Sequence, residues 1–292
     1  MKQNEIHILD LDGTLWQIDS KIWVIDKEKP GFPILKLSKQ EFNLIENGIY
    51  KKDNIVIDYN DQQWWISKEI FNRINQKKRI EDPKRLGISF VEYYNDEYLD
   101  NAQIKYLFYN IEHLVGKGEQ IIILSGRSNR KACANMLNEL RLKLKEKDIS
   151  IFKIYFVSDR FYHRHNEKIS YNKLVVLLEH LIGLKIEDYK FVGLKQDRFD
   201  TIYFYDDEIM NIDYANDIQN TFDKILKNTE DDIFRLVIER LRNYKLTLIN
   251  NFVTHNSLNP FKTTTIELKK PIRFPIYEPD ETEVKKLENF KG

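Results

Sequence analysis

The 292-residue sequence holds a single cysteine, Cys133. A lone thiol closes no intramolecular disulfide, so nothing points to a secreted, disulfide-stapled fold. Cys133 stands between alanines in a helical pattern and reads as a small packing residue. A surplus of charge is also missing: 46 Lys and Arg face 46 Asp and Glu. That balance argues against a whole-surface nucleic-acid binder and leaves room for a local basic groove. Long apolar runs are absent. The most apolar helical stretch, residues 174–182, is about half the ~20 residues a spanning helix needs and contains Glu179 and His180. The short apolar run near the N-terminus is broken almost at once by acidic residues, unlike a signal peptide. The expectation is a protein without membrane contact, in the cytoplasm or another reducing intracellular compartment. Internal repeats are not found. The abundance of Ile, Lys and Asn matches the AT-rich coding of some viruses and protists, which would place a viral protein in host cytoplasm and is chemically silent.

What remains is an ordinary core-forming composition, 42% hydrophobic and 32% charged. It excludes disordered and collagen-like chains and suits one large domain, or a domain with a sizeable insertion. Four short, β-branched runs read as buried strands: residues 6–11, 120–124, 150–157 and 201–205. Helical patterns fall between and after them, at 101–116, 128–147, 171–181 and 230–245; in the second, Ala132, Met136, Leu140 and Leu144 share a stripe. Strands alternating with helices predict an α/β fold, a parallel sheet with helices on both faces. Residues 21–99 break the rhythm with Gly31-Phe32-Pro33, Trp64-Trp65 and Lys77-Lys78-Arg79. They read as an insertion, partly hairpin and partly helical. The core is then 1–20 plus 100–249. Residues 250–292, punctuated by Pro260, Pro271, Pro275 and Pro279, read as an extended tail over the surface with a disordered end.

Three of the four strands end in residues suited to one chemistry. Asp10 and Asp12 flank the first strand end, with Gly13-Thr14 turning the chain; Ser125-Gly126-Arg127 stop the second; Asp206-Asp207 stop the last. In an open α/β sheet the crevice beyond the carboxyl ends of the strands is where ligands bind. Carboxylates gathered there repel one another unless a cation neutralises them, and hard oxygen ligands suit Mg²⁺. Taken singly, Asp-Gly-Thr is often a plain strand terminator, and Asp206-Asp207-Glu208 could be an acidic helix N-terminus. The joint placement favours catalysis.

Asp10-Leu11-Asp12-Gly13-Thr14-Leu15 resembles the DxDGT first motif of the haloacid dehalogenase (HAD) superfamily of phosphotransferases. Leu124-Ser125-Gly126-Arg127 is similar to its second motif and Tyr205-Asp206-Asp207 to its fourth, in the same order; the likeness covers about half the chain. It implies a HAD-type, Rossmann-like sheet with residues 21–99 inserted where one class of HAD caps resides. It further implies Asp10 as nucleophile, Asp12 as general acid and then base, and Ser125 as a holder of phosphoryl oxygens. Gly13, Thr14, Gly126 and Arg127 would line the substrate. The motif lysine is Lys173 or Lys168. Lys173 is preferred because Ser170 offers an N-cap that would put it in a first helical turn near the phosphate. Mg²⁺ would lie between Asp10, the backbone carbonyl of Asp12, and Asp206 or Asp207.

The implied activity is a Mg²⁺-dependent phosphomonoesterase. Ser125-Gly126-Arg127 is similar to the Ser-Gly-Arg of the 3′-phosphatase domain of phage-type polynucleotide kinase-phosphatases and of "Swiss army knife" RNA-repair HAD proteins, which carry tryptophans between the first two motifs. That points to a single-stranded nucleic-acid 3′ end as substrate. Arg160, Phe161, Tyr162, His163, Arg164 and His165 interleave cations and rings as such a strand requires, and as a solvated loop also would. Trp64 and Trp65 either stack a base or anchor the insertion. A GxxxxGK[ST] P-loop is missing, so no kinase half accompanies the phosphatase. Two alternatives stay open. One is a phosphatase of a nucleotide or small metabolite; the other is a HAD-fold component of a viral or RNA-processing assembly, docking a protein partner through Ile272, Phe274 and Ile276 of the tail.

Overall fold

The computed structural model describes residues 4–17, 21–38, 41, 55–59, 62–78, 82–89, 91–94, 103–104, 111–127, 134–157, 169–195, 197–254 and 261–270. Cys133, Lys168, the 160–165 loop and residues 271–292 lie outside them.

The chain opens with β1 (Glu5–Leu9) and turns into the two-residue β2 (Trp16–Gln17). It continues through β3 (Ile22–Asp26), β4 (Lys29–Leu37), β5 (Ile55–Tyr59), β6 (Gln62–Ile66), α1 (Lys68–Lys78) and β7 (Leu86–Ser89). Next come α2 (Val91–Tyr94), β8 (Gln103–Ile104), α3 (Ile111–Leu114), β9 (Gln120–Ser125), α4 (Ala134–Glu146) and β10 (Ser150–Phe156). Helix α5 (Ile169–Ile182) leads through the hairpin β11 (Leu184–Glu187) and β12 (Lys190–Leu194) to β13 (Thr201–Asp206). The last part holds α6 (Ile209–Asn216), α7 (Ile218–Lys227), α8 (Asp231–Asn243), β14 (Thr247–Val253) and β15 (Phe261–Glu267).

Six strands make the central sheet in the order β10-β9-β1-β13-β14-β15. The first five run parallel and only β15 is antiparallel. β1 sits centrally, and the chain order reverses on either side of it. Such a switch point opens a crevice at the carboxyl edge, because the connections leave β1 and its neighbour toward opposite faces.

The period-2 alternation of strand side chains sorts residues between two cores. Ile6, Ile8, Ile122, Leu124, Ile202 and Phe204 pack on one face against buried side chains of α5, α6, α7 and α8. Leu9, Ile121, Ile123 and Tyr205 take the other face, against Ile111 of α3 and the Met136–Leu140–Leu144 stripe of α4. The fold is α/β with a mostly parallel sheet and helices on both faces. Among the described residues no helix is long and apolar enough to cross a membrane.

The insertion builds its own small sheet, β4-β3-β7, and the separate hairpin β5-β6. Ile22, Val24, Leu37, Ile66, Ile74 and Leu86 form a third apolar cluster there. Near the two ends of the segment the buried Glu92 carboxylate accepts from Lys21 N at 2.7 Å, Trp23 Nε1 at 2.5 Å and Lys36 Nζ at 2.8 Å. Trp64 and Trp65 lie on β6, in register with Ile57 and Val56.

Three expectations need correcting. The boundary at 249 falls inside β14, which pairs parallel with β13, and β15 then closes the sheet. Residues 250–254 and 261–270 thus belong to the core, not to a tail. The helix expected over 101–116 is confined to α3 among the described residues, while Gln103–Ile104 pair with Trp16–Gln17. Ser170 is the second residue of α5 and not its cap, so Lys173 lies two residues further into the helix than expected.

Candidate active site

Every motif residue named above that lies among the described residues meets at the carboxyl edge of the sheet. Asp10 follows β1, and its N–H donates to the Tyr205 carbonyl at 2.9 Å, extending the β1–β13 ladder by one step. That bond sets Asp10 beside Asp206. The chain then turns sharply: Leu15 and Trp16 N–H donate to the Leu11 carbonyl, and Gly13 N–H to the Trp16 carbonyl at 2.7 Å. Gly13 adopts φ 87°, a left-handed conformation that side chains disfavour. A Cβ there would stand 2.0 Å from Asp207 Oδ2. Glycine therefore lets the turn form and lets the Asp207 carboxylate lie against it. Thr14 is fully buried, and its hydroxyl has no hydrogen-bond partner among the described residues.

Helix α5 brings Lys173 to the same place, 3% exposed. Its Nζ donates to Asp10 Oδ1 at 2.6 Å and to Asp206 Oδ2 at 2.7 Å. Burial alone would lower the pKa of this ammonium, but the adjacent Asp10 and Asp206 carboxylates outweigh it and raise the pKa above the ordinary lysine value. Lys173 is therefore a fixed cation that pins Asp10 in one orientation.

Asp206 is held from all sides. Its Oδ1 accepts from Glu208 N at 2.9 Å and Asn211 Nδ2 at 3.0 Å, and its Oδ2 from Lys173 and again from Asn211 at 2.9 Å. Asp206 therefore anchors Lys173. Asn211, buried on α6, was missed from sequence; its only signal is a polar residue among Ile209, Met210 and Ile212 shortly after the acidic pair.

Arg127 and Asp12 form a second charged unit. Arg127 Nε donates to Asp12 Oδ2 at 2.7 Å and Nη2 to Asp12 Oδ1 at 2.9 Å, a two-pronged fork. The Arg127 side chain is 5% exposed and that of Asp12 19%. Ser125 is fully buried, and its Oγ accepts the Arg127 backbone N–H at 3.2 Å. A Cβ on Gly126 would meet Ile169 at 3.2 Å, so the small residue lets the start of α5 pack close.

One carboxylate oxygen from each of Asp10, Asp206 and Asp207 lies within 4.8 Å of the others, a grouping that could hold a metal ion. Asp10, Asp12, Asp206 and Asp207 also outnumber Lys173 and Arg127 two to one. An all-oxygen donor set with excess negative charge fits a hard divalent cation such as Mg²⁺. No family model, curated protein or solved structure matches the chain.

Proposed function

We propose that this protein is a Mg²⁺-dependent phosphomonoesterase of HAD type that works through an aspartyl-phosphate on Asp10. The observation that carries the reading is the convergence of Asp10, Asp12, Ser125, Arg127, Lys173, Asp206 and Asp207, drawn from distant parts of the sequence, on one switch-point crevice. Lys173 bridges Asp10 and Asp206 at its centre.

The carboxylate of Asp10 attacks phosphorus, a new O–P bond forms, and the bond to the leaving oxygen breaks. Asp12 gives that oxygen its proton. Asp12 then takes a proton from water, which attacks the aspartyl-phosphate and releases inorganic phosphate, regenerating Asp10. Lys173 orients Asp10 and offsets the charge of the incoming phosphate. Asp10, the backbone carbonyl of Asp12 and Asp207 would hold Mg²⁺, with Asp206 beside them as anchor of the lysine. Bound there, the cation supplies charge neutralisation between nucleophile and phosphoryl oxygens.

The substrate class is a nucleic-acid 3′-phosphate, a choice supported by the Ser125-Gly126-Arg127 resemblance. The insertion, with its own apolar cluster, serves as a cap beside the core. The test is phosphate release from a 3′-phosphorylated oligonucleotide and from an aryl phosphate, with Mg²⁺ or EDTA. Asp10→Asn should keep the fold and lower turnover by roughly 10⁴-fold or more, the scale of losing a covalent nucleophile. Near-wild-type turnover in that variant would remove the mechanism. Turnover of the aryl phosphate alone would move the substrate to nucleotides or small metabolites. Silence on both would favour an interaction role within an assembly.

A further inference from the structure

Resting on the phosphomonoesterase reading, we infer that Arg127 is a positioning residue for the proton donor Asp12 and not a contact for the substrate phosphate. Both prongs of its guanidinium end on the two oxygens of Asp12. Arg127 is buried, 7% exposed as a residue. Its own N–H is fixed on Ser125 Oγ, which locks the backbone from which the side chain departs.

The fork does two things to Asp12. It uses one acceptor site on each oxygen, so the carboxyl group lies in a set plane. It also stops the short side chain from rotating, and proton transfer falls off steeply with misplacement. A lysine could supply the charge but not the plane, because an ammonium is a point charge without a fork.

The consequence is a dependence on the leaving group. An ester whose leaving oxygen is already a stable anion needs no proton from Asp12; one that departs as a basic oxyanion does. A residue that holds the phosphate would matter equally to both. The experiment compares kcat/KM, which reports the ester-cleaving step, for 2,4-dinitrophenyl phosphate and phenyl phosphate. These esters share a phosphate and a ring and carry no nucleic acid. Arg127→Ala and Arg127→Lys should lose about 10²-fold more kcat/KM on the phenyl ester than on the dinitrophenyl ester, the scale of general-acid catalysis. Competitive inhibition by inorganic phosphate should be unchanged in both variants. If Arg127→Ala does not fold, Arg127→Lys carries the test, since it keeps a positive charge beside Asp12.

Equal losses on the two esters, with weaker inhibition by phosphate, would overturn the inference in favour of a phosphate contact. Equal losses with unchanged inhibition would overturn it in favour of a purely structural ion pair. Absence of wild-type turnover on both esters and on the oligonucleotide would bring down the phosphatase reading itself, and this inference with it.

Discussion

Replacing Lys173 by methionine keeps the length of the side chain and removes its charge. The variant leaves Asp10 and Asp206, 3% and 0% exposed, without their shared ammonium. Their facing oxygens lie within 4.8 Å. At an effective dielectric near 20, two unit charges at that separation repel by about 3 kcal/mol. Breaking a buried ion pair by deleting one partner costs about 3–5 kcal/mol, so the two estimates agree. With a urea m-value of about 3 kcal/mol per M, the unfolding midpoint should fall by about 1–1.5 M. Adding Asp10→Asn should recover most of the loss, because a single carboxylate held by Asn211 and the Glu208 N–H remains. In the wild-type protein the ammonium contributes fully below pH 10.5, the ordinary lysine value, and the contribution is lost only as pH rises through the higher folded value. Urea unfolding followed by circular dichroism at pH 7 measures all three proteins. A loss below about 1 kcal/mol for Lys173→Met, or no recovery in the double variant, would refute the idea of a buried, mutually dependent triad.

Gly13→Ala should cost about 1–2 kcal/mol, because alanine must adopt the left-handed backbone, and should cost proportionately more activity by pushing Asp207 from its place. An alanine variant with wild-type activity would dissociate Asp207 from the chemistry. Burial, followed by the charges of Lys195 and Lys153, holds the fully buried His180 neutral, with its pKa lowered from 6.5 to about 3. The unfolded chain binds this proton first, so the contribution of His180 is present above pH 6.5 and is lost as pH falls toward 3. His180→Phe should therefore lose less stability than wild type between pH 6.5 and 4, and parallel urea midpoints over that range would contradict the assignment.

The strands legible in the sequence, β1, β9, β10 and β13, are its short β-branched runs. β1, β9 and β13 are buried on both faces, so unbroken runs such as Gln120-Ile121-Ile122-Ile123-Leu124 announce them. β14 gives no such signal because Asn250 and Asn251 interrupt it. Both are buried all the same. Asn250 Nδ2 reaches the Ile212 carbonyl and Asn216 Oδ1, and Asn251 Nδ2 the Phe204 carbonyl, so tertiary hydrogen bonds override a poor strand propensity. β15, with Thr263, Thr264 and Thr265 exposed at the sheet edge, resembles a surface segment for a related reason.

The positions of the site residues follow from strand ends, which the turn residues mark. Lys173 stands at the site without the Ser170 cap that its sequence context suggests, since Ser170 lies inside α5. Asn211 could not be reached, because its role depends on where α6 crosses Asp206. The pairing of Arg127 with Asp12 also depends on β9 lying beside β1, a contact that no local pattern contains.

The central position of β1 has a consequence during synthesis. Glu5 pairs with Thr201, and His7 meets Tyr205 across a separation of 198 residues. On the ribosome, β1 must therefore wait, with one flank unpaired, until β13 has emerged. Pairing over such a distance carries a large loop-closure cost and slows folding. An apolar strand of this kind, exposed in the meantime, is a hazard for association with other chains. The insertion follows β1 directly and closes on its own apolar cluster, so it is a unit able to fold while β1 waits.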